Sequence, residues 1–316
     1  MGDLKDKNKK KKKLPGNLYD PRLRYDYENR EIGTVSPDNT REPFRWVSDV
    51  AYKNVHRIVA RGYDTTELVE AGYGFADMIF IDFQARIPLI EEQKMLNYIM
   101  VLGLEDGLSS PAAMARIVAG SNVYLTQAAG ASILAFGHAY GAYSAFGNML
   151  LRYQSMVEEG TKSEQQAAKQ LVQENVDKDY LGVSELYLKD PSPGRIIARA
   201  EKLNVARKYI PFMKKVVEEA KKVFQKPVCL DMLGAVGAAM LDLGFTPESS
   251  WAIMAVTRGY AAGAHYCEEI EREGFARMGE ALTPKEAYDG PDEKPVPSTE
   301  KRSRTAKPYK SETLDE

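Results

Sequence analysis

An uncharged stretch in the middle of the chain constrains the fold more than any other feature of the sequence. No Asp, Glu, Lys or Arg lies between Arg116 and Arg152, and Gly, Ala and Ser fill much of this stretch. It is long enough to span a bilayer, but a lipid-facing helix would bear its recurrent polar side chains at a cost. These polar residues are Asn122, Gln127, Ser132, His138, Ser144 and Asn148. The stretch therefore predicts buried helices of a soluble protein.

The same Gly- and Ala-rich texture returns at residues 231–243 and 251–265. Small side chains allow helix backbones to approach closely, so we predict that the three segments pack together at the centre. Elsewhere, residues 91–104 have apolar side chains at helical spacing, and residues 163–173 and 211–224 are amphipathic. Runs of alternating β-branched residues are almost absent. The sequence predicts an all-α fold.

Charge and cysteine content limit the classes of partner. The 316 residues include 43 Lys and Arg against 45 Asp and Glu, and the net charge of −2 gives no global attraction to nucleic acid or to an anionic membrane. Only two cysteines, Cys229 and Cys267, are present, which favours a reducing, cytoplasmic location. The lysine run Lys9–Lys13 is either a phosphate-binding or targeting patch or a solvated tail.

Several classes of site have no support in the sequence. There is no Walker loop, no Rossmann glycine fingerprint, no HExxH and no paired CxxC. None of the three histidines is paired with a carboxylate or with another histidine at a metal-ligand spacing. We therefore expect no metal and no nucleotide cofactor.

Two charged residues within the apolar segments are candidates for chemistry. Asp231 lies between apolar runs, and burial would raise the pKa of its carboxyl and make it a useful proton acceptor. The alternative for Asp231 is a helix N-cap. Arg258 could bind a substrate carboxylate, and its alternative is a salt bridge to a local acid. His265, seven residues later, would lie on the same helix face.

Eight short fragments of this chain, in order, resemble the citrate synthase and citryl-CoA lyase superfamily. They cover the chain from residue 59 to residue 291, and they favour the lyase branch. They are VARGYDTTEL at 59–68, Phe75 with Arg86-Ile-Pro88, LEDGLSSPAA at 104–113, GHAYGA at 137–142, DPSPGR at 190–195, VCLD at 228–231, Arg258 with Ala264-His265 and Glu268, and YDGP at 288–291.

The resemblance implies a large helical domain with a smaller helical domain inserted into it and the active site in the cleft between them. By this analogy, the small domain runs from 145 to 233 and the large domain occupies 44–144 and 234–290. Composition alone predicts a basic, extended N-terminal arm at 1–43 and a polar tail at 291–316. The resemblance also implies a homodimer or homotetramer as the working unit, and closure of the cleft would exclude water from a reactive enolate.

The resemblance further implies chemistry on the carbon next to a coenzyme A thioester. In the family an aspartate moves the carbon proton, and this aspartate maps to Asp231. Arginines bind the carboxylates of the substrate, and these arginines map to Arg258 and Arg195. The histidines depart from the family pattern. Asp106, Tyr140 and Ser184 occupy the three histidine positions, and His138 lies two residues from one of them.

Two interpretations follow from the missing histidines. Tyr140 and Ser184, if buried, could donate hydrogen bonds to an enolate and a carbonyl, with Asp106 taking a hydroxyl proton. This favours carbon–carbon cleavage or aldol-type chemistry on an acyl-CoA other than citryl-CoA, because a synthase must also hydrolyse a thioester. The alternative is a catalytically inactive acyl-CoA-binding protein or a structural partner subunit.

Overall fold

The computed structural model describes residues 48–54, 56–186 and 190–275, together with Pro295 and Ser298. Within these residues the chain is mainly helical, which confirms the predicted all-α class. The longer helices are α2 (Phe75–Gln84), α3 (Ile90–Gly103), α4 (Ser110–Ala119), α5 (Leu125–Ala135), α7 (Tyr143–Glu158), α8 (Glu164–Asn175), α9 (Ser192–Lys202), α10 (Tyr209–Val223), α11 (Met232–Asp242) and α12 (Pro247–Arg272). Two short ones are α1 (Thr65–Glu70) and α6 (His138–Gly141).

In the part of the chain that the structure describes, five short strands form two small antiparallel sheets that the sequence did not predict. One sheet has the order β1 (Ala51–Lys53), β2 (Ile58–Ala60) and β3 (Tyr63–Asp64). The other pairs β4 (Val183–Glu185) with β5 (Val228–Leu230). Strands of two or three residues are too short to show alternation of apolar and polar side chains.

The RGYD fragment builds the turn between β2 and β3. Arg61 and Gly62 both have a positive φ, 46° and 92°, as the tight turn requires. Asp64 then caps α1 by accepting hydrogen bonds from the backbone N–H groups of Thr66 and Glu67. Arg61 donates to the carbonyl of Asp82, so the turn is fixed to the end of α2.

The three small-residue segments pack together, as predicted. Helix α7 contacts both α11 and α12, and α12 also contacts α4 and α5. The approach is so close that a Cβ at Gly237 would lie 2.4 Å from the Phe146 ring, and a Cβ at Gly147 would lie 2.8 Å from Pro247. A Cβ at Gly259 would lie 2.3 Å from Ile133. Glycine is therefore required where these helices cross.

Gly237→Ala is expected to lower the free energy of unfolding by about 1–3 kcal/mol, because the added methyl overpacks a filled core. Phe146 is fully buried and cannot move away. The matched control is Gly194→Ala in α9, where an added Cβ meets nothing within 4 Å and removal of a helical glycine should stabilise by about 0.5–1 kcal/mol. Urea unfolding of both variants checks this, and equal midpoints would contradict it.

The prediction that the uncharged stretch is buried is wrong for α5. Only Ala128 and Ser132 of this helix are buried, whereas Leu134 is 86% exposed. Tyr124, which precedes the helix, is also exposed. The helix contacts α4 and α12 on one side and leaves an uncharged face open on the other.

The predicted arm at 1–43, the tail at 291–316 and the run Lys9–Lys13 lie outside the described residues, apart from Pro295 and Ser298 in the tail. One continuous core cluster contains side chains from both predicted domains, from Ala76 to Ala255. The division at residues 144 and 233 stays a prediction. No helix among the described residues is long and apolar enough to cross a membrane.

Candidate functional site

Asp231 lies at the junction between β5 and α11. Its carboxyl group accepts a hydrogen bond of 2.8 Å from the backbone N–H of Gly234, so the residue is the N-cap of α11. Its own backbone N–H donates to the carbonyl of Gly182, next to β4. A Cβ at Gly234 would lie 2.4 Å from that carbonyl oxygen, so only glycine fits at position 234 in the first turn of the helix. Both alternatives weighed for Asp231 are therefore compatible: it caps a helix within apolar surroundings.

Burial raises the pKa of Asp231 from its ordinary 3.8 to about 6, against the smaller opposing effect of hydrogen bonds from the backbone N–H groups of Gly234 and Leu233. The residue keeps a partial opening to solvent. A carboxyl group of this kind exchanges protons readily near neutral pH. It can therefore act both as a base and, after protonation, as an acid.

The raised pKa of Asp231 makes stability depend on pH in a defined window. Between about pH 4 and pH 6 the folded chain retains a proton that the unfolded chain has lost, so stability falls as the pH rises through this window. Asp231→Asn keeps the helix cap but cannot ionise. In a thermal-unfolding series, the melting temperature of the variant minus that of the wild type should therefore increase as the pH is raised from 4 to 7. A difference that stays constant with pH would contradict the raised pKa.

Arg258, in the middle of α12, provides a largely buried cation. Its side chain is 14% exposed, and Nη1 lies 3.6 Å from the Asp106 carboxylate, which is too long for a hydrogen bond. Nη1 has no hydrogen-bond partner among the described residues, and neither has the buried Oγ of Ser109. Both residues line a narrow cavity together with Asp106 and His265. The guanidinium therefore has donor capacity left for a ligand oxygen.

His265 lies on the same face as Arg258, as predicted. Its Nε2 is 3.2 Å from Glu105 and its Nδ1 is 3.9 Å from Glu268. Among the described residues, no group of three or more His, Cys, Asp and Glu side chains could hold a metal ion. His265 is thus engaged with carboxylates beside the cavity.

Tyr143 is a second residue near this site, besides Ser109, that the sequence did not point to. It is 4% exposed at the start of α7. Three charged groups influence its phenol, namely Asp231, Arg258 and Asp106. It therefore lies within electrostatic range of Asp231 at the start of α11 and of the pair that Asp106 forms with Arg258 of α12. The only signal was its place directly after the GHAYGA fragment.

The residues at the predicted histidine positions have different surroundings. Tyr140 is 42% exposed, so the expectation of a buried hydroxyl is wrong for it. The reason is that α6 is a short, open helix, in which the Tyr140 hydroxyl lies 3.0 Å from Ser110 Oγ and accepts a weak hydrogen bond from the Ser110 backbone. Hydrogen bonds from Ser110 hold the pKa of Tyr140 below its ordinary value.

The remaining predicted residues divide into near and distant ones. Ser184 lies opposite Cys229 in the β4–β5 pair, and its Oγ is 4.0 Å from the Cys229 sulfur. Cys229 is two residues before Asp231. His138 is exposed, and its Nε2 lies 3.4 Å from Asp179. Arg195 is exposed in the first turn of α9. Ser184 and Asp106 are thus close to the site, whereas His138 and Arg195 lie on the surface.

No protein-family model and no curated protein matches the chain. Among solved structures, citryl-CoA lyase from Hydrogenobacter thermophilus is similar, with a TM-score of 0.69 and 24% sequence identity over 81% of this chain and 99% of that chain. ATP citrate lyase from Methanosaeta concilii, in complex with (3S)-citryl-CoA, has a TM-score of 0.62 and 14% identity. The match covers 83% of this chain and 44% of that one.

Citrate synthase from Thermoplasma acidophilum, in a ternary complex with carboxymethyl coenzyme A and oxaloacetate, is a third similar structure. Its TM-score is 0.57 at 16% identity, over 72% of this chain and 60% of that chain. The resemblance found in the sequence fragments is therefore confirmed at the level of the fold. The chain has the all-α fold of the citrate synthase and citryl-CoA lyase superfamily.

Proposed function

We propose that this chain is an enzyme that makes or breaks a carbon–carbon bond next to an acyl-CoA thioester. Cleavage of a β-hydroxyacyl-CoA, or the aldol-type reverse, is the favoured reaction, and citryl-CoA itself is not the favoured substrate. The observation that carries the proposal is Asp231, a helix-capping carboxyl group whose pKa burial raises to about 6. The similar structures contain (3S)-citryl-CoA or carboxymethyl coenzyme A, which supports a CoA thioester as the ligand class.

In the cleavage direction, Asp106 takes the proton of the substrate hydroxyl. The bond between the α and β carbons then breaks, the β carbon becomes a carbonyl, and the electron pair passes to the thioester as an enolate. Asp231, in its protonated form, gives its proton to the α carbon, so the products are an acyl-CoA and a carbonyl compound. An Asp-to-Ala variant of the similar ATP citrate lyase is in complex with (3S)-citryl-CoA.

Arg258 is the proposed site for the carboxylate of the substrate. Its unpartnered Nη1 and low exposure suit a charge-assisted hydrogen bond, and Asp106 at 3.6 Å would lie beside the bound carboxylate. Arg195, which is exposed, is proposed as a second carboxylate-binding residue that would reach the site only if the cleft closes.

Hydroxyl groups replace the imidazoles in this proposal. Tyr140 and Ser184 are the proposed donors to the oxygens on which charge develops. Because neither group is a base, the site is suited to cleavage, which leaves the thioester intact. His138 is a further proposed participant, since it lies two residues from Tyr140.

The test is incubation of the full chain with a panel of carboxylated β-hydroxyacyl-CoA thioesters and with citryl-CoA. Mass spectrometry of the products should show an acyl-CoA and a carbonyl acid from at least one panel member, with slower or no cleavage of citryl-CoA. Release of free CoA as the only product would indicate hydrolysis and contradict the proposal.

The second candidate function is an inactive acyl-CoA-binding protein or a structural partner subunit. The observation that favours it is that none of the three positions where the resembled family has a histidine holds one in this chain. This candidate predicts that CoA raises the melting temperature while no panel thioester is cleaved. The Asp231 carboxyl caps α11 under either candidate, so cleavage of a panel thioester decides between them.

We also propose that the working unit is a homodimer or homotetramer in the cytoplasm. The uncharged face of α5, with Leu134 86% exposed, supports association, because a second copy would cover apolar surface there. The Gly- and Ala-rich texture of this helix would let two such helices approach closely.

Leu134→Glu should therefore convert the assembly to a chain of 35.3 kDa, because the charge would have to be buried in the interface. Light scattering after size-exclusion chromatography measures this. The control is Val69→Glu, since Val69 is 66% exposed on α1, and it should leave the mass unchanged. A monomeric wild type would contradict the assembly.

A further inference from the structure

Tyr143 is held rigidly beside the candidate site. Its ring is stacked on Phe136, with 6.5 Å between centroids and an interplanar angle of 15°. The Phe136 carbonyl in turn accepts a hydrogen bond of 3.3 Å from Trp251 Nε1 of α12. The tyrosine is therefore fixed through Phe136 to the helix that carries Arg258.

The rest of α7 fixes Tyr143 from the other side. One turn later, Phe146 packs against Gly237 of α11 and against Gly182, which accepts the hydrogen bond from the Asp231 backbone. Gly147 packs against Pro247 at the start of α12. The first two turns of α7 are thus packed against the middle of α11 and the start of α12. The charges of Asp231 and Arg258 both act on the Tyr143 phenol.

The chemical state of this phenol suits a hydrogen-bond donor. Burial, followed by the nearby carboxylate of Asp231, raises the pKa of Tyr143 above its ordinary value, so the hydroxyl keeps its proton at any pH at which the protein works. The hydroxyl makes no hydrogen bond to another described residue. A buried hydroxyl in a polar cluster has a strong tendency to find a partner, and an oxygen of a ligand would provide it.

We propose that Tyr143 donates a hydrogen bond to the thioester oxygen of the bound acyl-CoA and so stabilises the enolate. This assignment rests on the proposed function. It adds to that function the residue that donates to the thioester oxygen in place of a missing histidine. Tyr140 is less suited to that oxygen, because it is far more exposed and its hydroxyl is already engaged with Ser110. Tyr140 and Ser184 are then left for the carbonyl of the second product.

A fixed neutral donor has a specific advantage beside Asp231. When Asp231 removes or returns the carbon proton, negative charge develops on the thioester oxygen, and a preorganised donor stabilises that charge without reorganisation. The Tyr143 hydroxyl does not transfer its proton to the Asp231 carboxylate, because the pKa of the phenol stays well above that of the Asp231 carboxyl. The pair can therefore divide the work, Asp231 on the carbon and Tyr143 on the oxygen.

The test compares Tyr143→Phe with the wild type by calorimetric binding of CoA and of carboxymethyl-CoA. The carboxylate of carboxymethyl-CoA places charged oxygens close to where the enolate oxygen would lie. Removal of one donor to a charged group should weaken carboxymethyl-CoA binding about 10- to 100-fold and leave CoA binding unchanged. In the cleavage assay, kcat should fall about 100-fold with little change in KM.

The matched control is Tyr153→Phe, a buried tyrosine farther along α7 whose hydroxyl donates to Glu174. It should leave the binding of both ligands unchanged. Because Phe keeps the ring stacked on Phe136, the melting temperature of Tyr143→Phe verifies that the variant is folded. If folded Tyr143→Phe binds carboxymethyl-CoA as the wild type does, the assignment of Tyr143 is overturned and the proposed function stands. If the wild type binds neither ligand, both are overturned.

Discussion

Asp231→Asn is expected to lower kcat for the cleavage reaction about 10³-fold, because it removes the group that carries the proton to and from the α carbon. Asn retains the cap on α11, since an amide oxygen can accept the hydrogen bond from the Gly234 backbone as the carboxylate does. CoA binding should therefore be unchanged. Steady-state kinetics with the active panel thioester and calorimetry with CoA measure the two quantities.

The matched control for this variant is Asp64→Asn, which changes a second N-cap aspartate on α1, away from the site. It should retain full activity. If Asp231→Asn keeps more than about a tenth of the wild-type kcat, Asp231 is not the general acid and base, since such groups contribute at least about 10²-fold. Loss of both activity and CoA binding would instead indicate a structural role.

Arg258→Met is expected to raise KM for the carboxylated substrate about 100-fold, because it removes a buried charge-assisted donor. Methionine is apolar and flexible, so it fills much of the space of the arginine stem. The loss should depend on the substrate. A β-hydroxyacyl-CoA without the carboxylate, assayed beside the panel, should show nearly the same kcat/KM for the variant as for the wild type.

The control is Arg272→Met on the same helix, where an exposed guanidinium pairs with Glu268. Surface ion pairs contribute about 0–1 kcal/mol, so this change should affect neither KM nor stability strongly. Equal losses on the carboxylated and the uncharged thioester would show that Arg258 organises Asp106 and the cavity and does not read the carboxylate.

The sequence predicted the helical elements well where periodicity was strong. The helix predicted at 91–104 is observed at Ile90–Gly103, and the amphipathic segment at 211–224 is observed at Tyr209–Val223. The crossing of the small-residue segments was also predictable, because Gly at a helix crossing has a direct packing meaning. The short strands were not, since β4 and β5 are specified by their pairing across 45 residues of chain and not by local pattern.

The site was predictable only in part for a similar reason. Asp231 stood out because its apolar flanks are visible in the sequence, and its raised pKa follows from them. Tyr140 and Tyr143 are three residues apart, and the exposure of the first and the burial of the second depend on where α6 ends and α7 begins. Local sequence does not fix such a boundary, whereas the packing of Phe146 and Gly147 against α11 and α12 does.

The exposed face of α5 shows a further limit of the sequence. Lack of charge predicted burial, and the chain alone does not bury Leu134. Composition indicates that a surface is apolar, but it does not indicate whether the same chain or another copy covers that surface.

The most direct test of the central claim is exchange of the α-carbon protons of an acyl-CoA in heavy water, followed by NMR. This step needs Asp231 and the thioester oxygen donor but no second substrate. We predict that the wild type exchanges the α protons of acyl-CoA products from the cleavage panel, and that Asp231→Asn does not. No exchange by the wild type with any of these thioesters, or equal exchange by Asp231→Asn, would contradict the claim that Asp231 moves this proton.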